Sequence, residues 1–426
     1  MPREMKDSGI EWIGEIPKEW KLGRTKNCYK SHKDVAGEEA DNYERLALTL
    51  NGVIKRSKED ATGLQPEAFE GYQILRYNEL VFKLIDLENV ATSRVGYSPY
   101  TGIVSPAYIV LKPKEDDESR YGAYFFLSMW QREVFNHMGD DGVRSSLNAK
   151  DLLNIPYLII SNDEKKKIAD FLDKKCSEID SVIAETKNTI EEYKKLKQSV
   201  ITEAVTKGIR GPRPMKDSGI EWIGEIPAEW EIVKMKHLGY CRNGLTYSPD
   251  NMTSEENGTL VLRSSNIRDG KLVFTDNVYV DTFIKDDVMV MPGDILICSR
   301  NGSRALIGKN ALIPNGLIAS FGAFMMIFRC KSPKYVQMIL NSAIFSYYLG
   351  TFLTSTINQL TADNFNNMQI VYCKNEIEQK EIVSYLEQKC TEIESLIEQK
   401  TALLEELETY KKSLIYEYVT GKKEVF

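Results

Sequence analysis

The chain has 426 residues, of which 42% are apolar and 27% charged, and its 62 acidic against 55 basic side chains give a formal charge of -7. These are ordinary globular values, and no run approaches the ~18 apolar residues that a membrane span requires. The N-terminal MPREMKDSG lacks the apolar core of a signal peptide, so a cytoplasmic protein without membrane association is expected. Seven cysteines without a Cys-x-x-Cys pair, and three scattered histidines, His32, His137 and His237, offer no metal-ligand spacing.

Met5 to Trp20 reads MKDSGIEWIGEIPKEW, and Met215 to Trp230 repeats it with only Lys18 and Ala228 differing. The chain is a tandem duplication with a period of about half its length, which makes each copy domain-sized rather than a solenoid turn. In chain order the copies read as an entry segment (1–20), a first body (21–160), a long helix (161–208), a linker with the second entry segment (209–230), a second body (231–373) and a second long helix (374–426). The linker Lys207 to Pro214, KGIRGPRP, carries the Gly and Pro of a domain junction. Trp12, Trp20, Trp222 and Trp230 are expected to pack the entry segments against the helices, bringing the N-terminal segment onto the C-terminal helix.

The bodies read as mixed α/β. Apolar runs bounded by turn residues predict strands at Leu80–Leu84, Ile103–Leu111, Thr259–Arg263, Ile295–Cys298 and Phe324–Phe328, and helices fit Tyr121–Met138 and Pro333–Leu353. The two bodies correspond faintly, with Asn78-Glu79-Leu80-Val81-Phe82 set against Pro292-Gly293-Asp294-Ile295-Leu296, and Ile103-Val104-Ser105 against Ile318-Ala319-Ser320. A shared fold with diverged surfaces is expected.

The helices are nearly the same twice. Glu164 to Gly208 aligns without gaps on Glu378 to Lys422, and apolar residues recur at three-and-four spacing: Ile168, Leu172, Ile179, Val182 or Ile183 and Ile190 in one, Ile382, Leu386, Ile393, Leu396 or Ile397 and Leu414 in the other. About 40 residues at 1.5 Å each give ~60 Å, and such a stripe needs a partner. The other copy supplies it, antiparallel, about an internal two-fold axis. Cys176 and Cys390 hold equivalent positions as small buried hydrophobes.

The ordered set resembles the specificity subunit of a type I restriction-modification enzyme over essentially the whole chain. The carrying residues are Gly14 to Trp20 and Gly224 to Trp230 (GEIPxEW), the body exits Ser146 to Leu152 and Gln359 to Phe365, the helix openings Glu164-Lys165-Lys166-Lys167-Ile168 and Glu378-Gln379-Lys380-Glu381-Ile382, and the helix ends Glu203 to Gly208 and Glu417 to Lys422. The resemblance implies an α/β (mixed α+β) fold with two target recognition domains separated by two long antiparallel coiled-coil helices and internal pseudo-two-fold symmetry. It implies a non-catalytic reader of a bipartite, interrupted site in double-stranded DNA, the helices setting the gap. Two modification subunits would dock on the helices and perform S-adenosylmethionine-dependent adenine N6 methylation, and restriction subunits would join them to translocate and cleave DNA. This chain would bind no cofactor itself. Lys165 departs from the usual Glu-Gln opening, which Gln379 retains, and is expected to be a tolerated surface change.

Catalytic motifs are broken. Ser105-Pro106-Ala107-Tyr108 is similar to the tetrapeptide with which amino-methyltransferases hold a flipped base, but Ala107 interrupts it and no Gly-rich cofactor loop accompanies it. Gly302 to Lys309 has one residue too many for a phosphate loop, and Asn310 stands where Ser or Thr is needed. The net negative charge hides a distribution: residues 231–373 hold 13 basic and 11 acidic side chains, whereas 375–426 hold 7 and 12. The first body is slightly acidic, so modest intrinsic DNA affinity is expected.

Arg pairs bidentately with guanine, and Asn or Gln with adenine. On that basis the candidate contacts are Arg263, Ser265, Asn266, Arg300, Asn301, Ser303, Arg304, Asn358 and Gln359 in the second body, and Lys55, Arg56, Lys83, Arg94, Tyr97, Arg144, Ser145 and Ser146 in the first. Arg144-Ser145-Ser146 and Asn358-Gln359 rank highest, since they hold equivalent places in polar loops of different sequence. The bland alternative for each is a solvated turn. Two other readings stay open: a standalone DNA-binding or regulatory protein, and a coiled-coil adaptor.

Overall fold

The computed structural model describes residues 3–60, 68–85, 93–116, 118–138, 146–352 and 358–425. The chain divides into two compact units, residues 1–187 with 402–426, and residues 188–401. The two long helices, Asn162–Lys207 and Glu376–Val419, each contribute one stretch to each unit. Among the described residues no helix is long and apolar enough to cross a membrane.

In the first unit Ile168, Leu172, Cys176 and Ile179 share a core with Leu414, Ile415 and Val419. Phe171 lies 4.4 Å from Tyr418 by ring centroids, Asp180 pairs with Lys411 at 2.6 Å, and Lys187 reaches Glu408 at 3.9 Å, so the two stretches run antiparallel. The second unit repeats this with Ile201, Ala204 and Val205 against Ile382, Val383 and Leu386, and Lys197 on Glu394 at 2.6 Å. Within the predicted stripes, Val182 and Leu396 are exposed while Ile183 and Ile397 are half-buried, and Ile183 packs against the first core.

Among the described residues each body carries two four-stranded sheets. In the first unit strands 29–32, 109–113, 80–82 and 95–97 lie in that order, all antiparallel, and strands 239–243, 325–330, 295–298 and 310–312 repeat the arrangement in the second. The other sheet has one parallel pair in each unit, 45–49 with 102–104 and 259–262 with 319–321. Each body also closes on itself: Lys21–Arg24 pairs with Pro156–Ile159, and Glu231–Lys234 with Gln369–Tyr372. Chain entry and exit are therefore neighbours at the root of the long helix.

The internal alignment needs one correction. Asn78 and Gly293 both adopt left-handed backbone (φ 65° and 84°), and the next residues, Glu79 and Asp294, accept the backbone N–H three residues before them at 2.9 and 2.7 Å. Asn78 therefore matches Gly293, not Pro292, a shift of one residue that exchanges the two faces of a strand. The predicted strand Ile103–Leu111 is two strands, Gly102–Val104 and Ile109–Pro113, because Tyr108 N–H returns to the Ser105 carbonyl at 3.1 Å and closes a turn. The predicted helices at 121–138 and 333–353 each break in two, at Glu133 (φ 59°) and at Asn341.

Lys165 is not a surface residue. Its ammonium is buried and pairs with the buried Glu118 carboxylate at 2.6 Å, while the Tyr157 hydroxyl donates to the same carboxylate at 2.7 Å. Glu118 opens the helix Glu118–Gln131, where its charge also faces favourable backbone N–H groups. In the second unit the matching Gln379 is neutral and donates to the Cys373 carbonyl at 2.6 Å. The lysine in the first unit is thus matched by a buried carboxylate, and the neutral glutamine in the second needs none.

The entry segments form matching hairpins, Met5↔Pro17 and Met215↔Pro227 at their open ends. Trp20 and Trp230 are buried, Trp12 packs edge-on against Phe125 at 5.6 Å, and Trp222 stacks on Tyr347 at 4.4 Å. Trp20 Nε1 donates to Glu164 at 3.0 Å, and Arg3 pairs with the same carboxylate and covers the indole. Arg213 pairs with Glu378 at 2.5 Å and lies 5.0 Å from the Trp230 ring. The Ile13 carbonyl accepts from Tyr416 Oη and Lys422 Nζ at 2.9 and 2.7 Å, so the N-terminal hairpin meets the C-terminal helix end.

Burial works against the Glu378 charge, but the hydrogen bond and charge of Arg213 outweigh it and hold the carboxyl below its ordinary value of 4.5. A carboxylate depressed in the folded state adds stability above its unfolded pKa, and that contribution is lost as pH falls through the folded one. Between about pH 4.5 and lower values, urea midpoints of the wild type are expected to fall more steeply than those of Glu378→Gln. Parallel acid limbs would show that Glu378 carries none of the linkage.

Candidate nucleic-acid interface

In the second unit the candidate residues converge. Cys298 ends a fully buried strand, and the chain leaves it as Ser299-Arg300-Asn301-Gly302-Ser303-Arg304. The Phe324 carbonyl accepts from both Ser299 N–H and Arg300 N–H at 3.0 Å, and from Ser299 Oγ at 2.9 Å. The Ser299 carbonyl accepts from Leu360 N–H at 2.7 Å, and Arg300 bridges to Gln359. Asn358 Nδ2 donates to the Gly302 carbonyl at 3.3 Å, and Asn301 Nδ2 to Ser264 Oγ at 3.2 Å. Four separate segments thus meet at one loop cluster, anchored by backbone hydrogen bonds to a rigid strand.

Exposure sorts the side chains. Ser265, Arg300, Ser303 and Arg304 are exposed, and Asn301, Asn358 and Gln359 half-buried. Arg304 leans on the Gly350 carbonyl at 3.4 Å, and Arg263 is tied to Asp276 at 2.8 Å. Asn266 is buried: its Nδ2 donates to the Val273 carbonyl at 3.1 Å and its Oδ1 accepts from Arg263 N–H at 2.9 Å, so it closes the turn instead of facing outward. A side chain with both amide ends engaged in the fold has none left for an adenine edge.

The first unit distributes its candidates. Lys55 pairs with Glu44 at 2.6 Å and lies over Tyr100, and Arg56 pairs with Asp60 at 2.7 Å, both on the edge strand Gly52–Arg56. Lys83 is half-buried, and Ser146 is exposed just before Leu147, whose N–H donates to the Leu84 carbonyl at 2.9 Å as Leu360 does to Ser299. Arg94 is fully buried, with its guanidinium donating to the Ile85 carbonyl at 3.1 Å, which takes it off the surface. Tyr97 lies apart, in a cavity of about 500 Å³ with Arg76, Lys112, Arg120 and Lys166, where burial and Tyr77 push its phenol up to about 12. Arg144 and Ser145 lie outside the described residues.

Sequence reading missed Phe324, a residue 59% exposed with Arg300 over its ring, and the two clamps Arg3–Trp20–Glu164 and Arg213–Trp230–Glu378. Extending the repeat backward by two residues pairs Arg3 with Arg213 and is the available signal for the second. Burial pushes the thiols of Cys176, Cys298, Cys330 and Cys373 up to about 11 and that of Cys28 to about 12, so they are protonated at neutral pH. Among the described residues no three His, Cys, Asp or Glu side chains are grouped to hold a metal ion.

Residues 227–406 match the family model described as "Type I restriction modification DNA specificity domain". The chain is 27% identical over 271 residues to the type I restriction enzyme MjaVIII specificity subunit of Methanocaldococcus jannaschii, covering 60% of each chain. It is also 27% identical over 150 residues to the EcoKI specificity subunit of Escherichia coli K12, covering 34% of this chain and 31% of that one. The matched stretches thus span three-fifths or less of these relatives' length. A solved chain from work on complex assembly and conformational transition of the type I R-M system has a TM-score of 0.72 at 16% identity, covering 96% of this chain and 99% of its own, a likeness of fold. With its duplicated entry segments, paired long helices and matching bodies, the chain is similar to type I restriction-modification specificity subunits, and residues 227–406 carry the match to the DNA specificity domain.

Proposed function

We propose that this chain is the non-catalytic reader of a bipartite, interrupted site in double-stranded DNA, each body reading one half. The observation that carries this is the loop cluster at 263–266, 299–304 and 358–360, where basic, amide and hydroxyl side chains are presented from an anchored strand end. Such residue types supply both phosphate attraction and base-edge hydrogen bonds. The frame beneath is the same in both units while the tips differ, as expected of two bodies with different half-sites.

Two modification subunits bind along the long helices, one per pseudo-equivalent face, and bring S-adenosylmethionine and the adenine N6 chemistry; restriction subunits complete the nuclease. Native mass spectrometry at saturation is expected to find two modification subunits per chain, and a single one would refute the symmetry. Long-read methylome sequencing of a methylation-free host expressing this chain with its modification subunit tests the reading itself. A two-part N6-methyladenine motif that appears only with this chain supports it. No new methylation from a folded, assembled complex would favour an adaptor role instead.

A further inference from the structure

We infer that Arg300 reads a guanine in the half-site of the second body, with Phe324 as the residue that holds it ready; this rests on the function proposed above. The Arg300 guanidinium carbon stands 5.4 Å from the Phe324 ring centroid, within the range of a cation–π contact. The two residues are joined through their backbones as well, since the Phe324 carbonyl accepts the Arg300 N–H at 3.0 Å. Arg300 is exposed, and no carboxylate or carbonyl among the described residues takes a hydrogen bond from its guanidinium. Its neighbours Arg263 and Arg304 are both engaged within the fold.

An arginine fork has five N–H donors in one plane, and a ring face beneath it limits rotation without using any of them. Ordering the fork in advance lowers the entropic cost of a bidentate contact to guanine O6 and N7. The first unit supports the assignment by contrast. With Leu84 matched to Ser299 and Leu111 to Phe328 by their hydrogen bonding and strand register, Ile85 falls at the place of Arg300 and Ala107 at that of Phe324. The framework is kept, and the fork and its platform are absent together.

The test compares methylome motifs from the assembled complex carrying wild type, Arg300→Ala, Arg300→Lys, Phe324→Ala and Phe324→Tyr. Wild type is expected to show a guanine in one half-site that becomes degenerate in Arg300→Ala, with a loss of preference of about 5- to 150-fold at that position only. Arg300→Lys, which keeps the charge but not the fork, is expected to relax the same position while retaining occupancy. Phe324→Ala is expected to relax it partly, and Phe324→Tyr to restore it. An unchanged motif in Arg300→Ala, or equal weakening at every position of the half-site, would overturn the assignment while leaving the bipartite reading intact. Absence of any motif with wild type would remove the reading and this inference together.

Discussion

Replacing Lys165 by glutamine, the residue its counterpart position already carries, is expected to destabilise the first unit by about 3–5 kcal/mol, because it leaves the Glu118 carboxylate buried without its cation. For a unit of this size that corresponds to a fall of roughly 6–20 °C in the unfolding midpoint. The internal repeat alone would rank the same change as a return to the residue of the second copy. The double variant Lys165→Gln, Glu118→Gln removes both charges and is expected to recover most of the loss, since no charge is then stranded. Differential scanning calorimetry of the three proteins decides it. A single variant within about 1 kcal/mol of wild type would mean that water or a rearranged side chain compensates Glu118.

Removing Trp20 or Trp230 is the second large effect. Each indole is buried between an entry hairpin and a helix end, Trp20 among Ile13, Ile16, Ile415 and Val419, and Trp230 among Ile201, Ala204 and Val205. Trp→Ala at either place is expected to cost about 3–5 kcal/mol from lost burial and the cavity left behind. Trp20→Phe keeps much of the apolar volume but loses the hydrogen bond to Glu164, so its cost is expected to be about 1 kcal/mol. Because the N-terminal hairpin is also bonded to Tyr416 and Lys422, limited proteolysis of Trp20→Ala is expected to release residues near both termini at the same rate. Cleavage confined to the N-terminal segment would mean that the C-terminal helix end holds without it.

The entry repeat differs only at Lys18 and Ala228. Both positions are exposed at the turn before the tryptophan, whereas the matching Ile16, Pro17 and Trp20, and Ile226, Pro227 and Trp230, are buried. Lys18 pairs with Glu4 at 2.8 Å on the surface, a contact worth little, and Ala228 dispenses with it.

Periodicity and duplication made the long helices, the matching hairpins and the general course of the bodies legible from residues alone, because each is a local pattern: an apolar stripe at three-and-four spacing, a repeated sixteen-residue string, short apolar runs between turns. The same evidence left Val182 against Ile183 and Leu396 against Ile397 undecided, since neighbouring residues on a helix differ by about a third of a turn and only the partner helix chooses between them. The one-residue slip at Asn78 has a similar cause: left-handed backbone at Asn78 and Gly293 marks the equivalence, and backbone angles are not written in residue names.

What the sequence determined by itself was the plan, two copies of one unit with a family's entry, exit and helix residues in order, because repetition and apolar spacing survive without knowing what touches what. What only the tertiary structure decided was which polar side chains are available. Arg94 and Asn266 looked like Arg300 and Asn358 in the sequence, yet folding spends the first pair on interior carbonyls and turns the second toward a loop cluster drawn from segments some sixty residues apart. Lys165 likewise looked like any helix-surface lysine until Glu118, 47 residues earlier, was found beside it. Burial and partnership are properties of long-range contacts, and those are set only when the chain closes on itself.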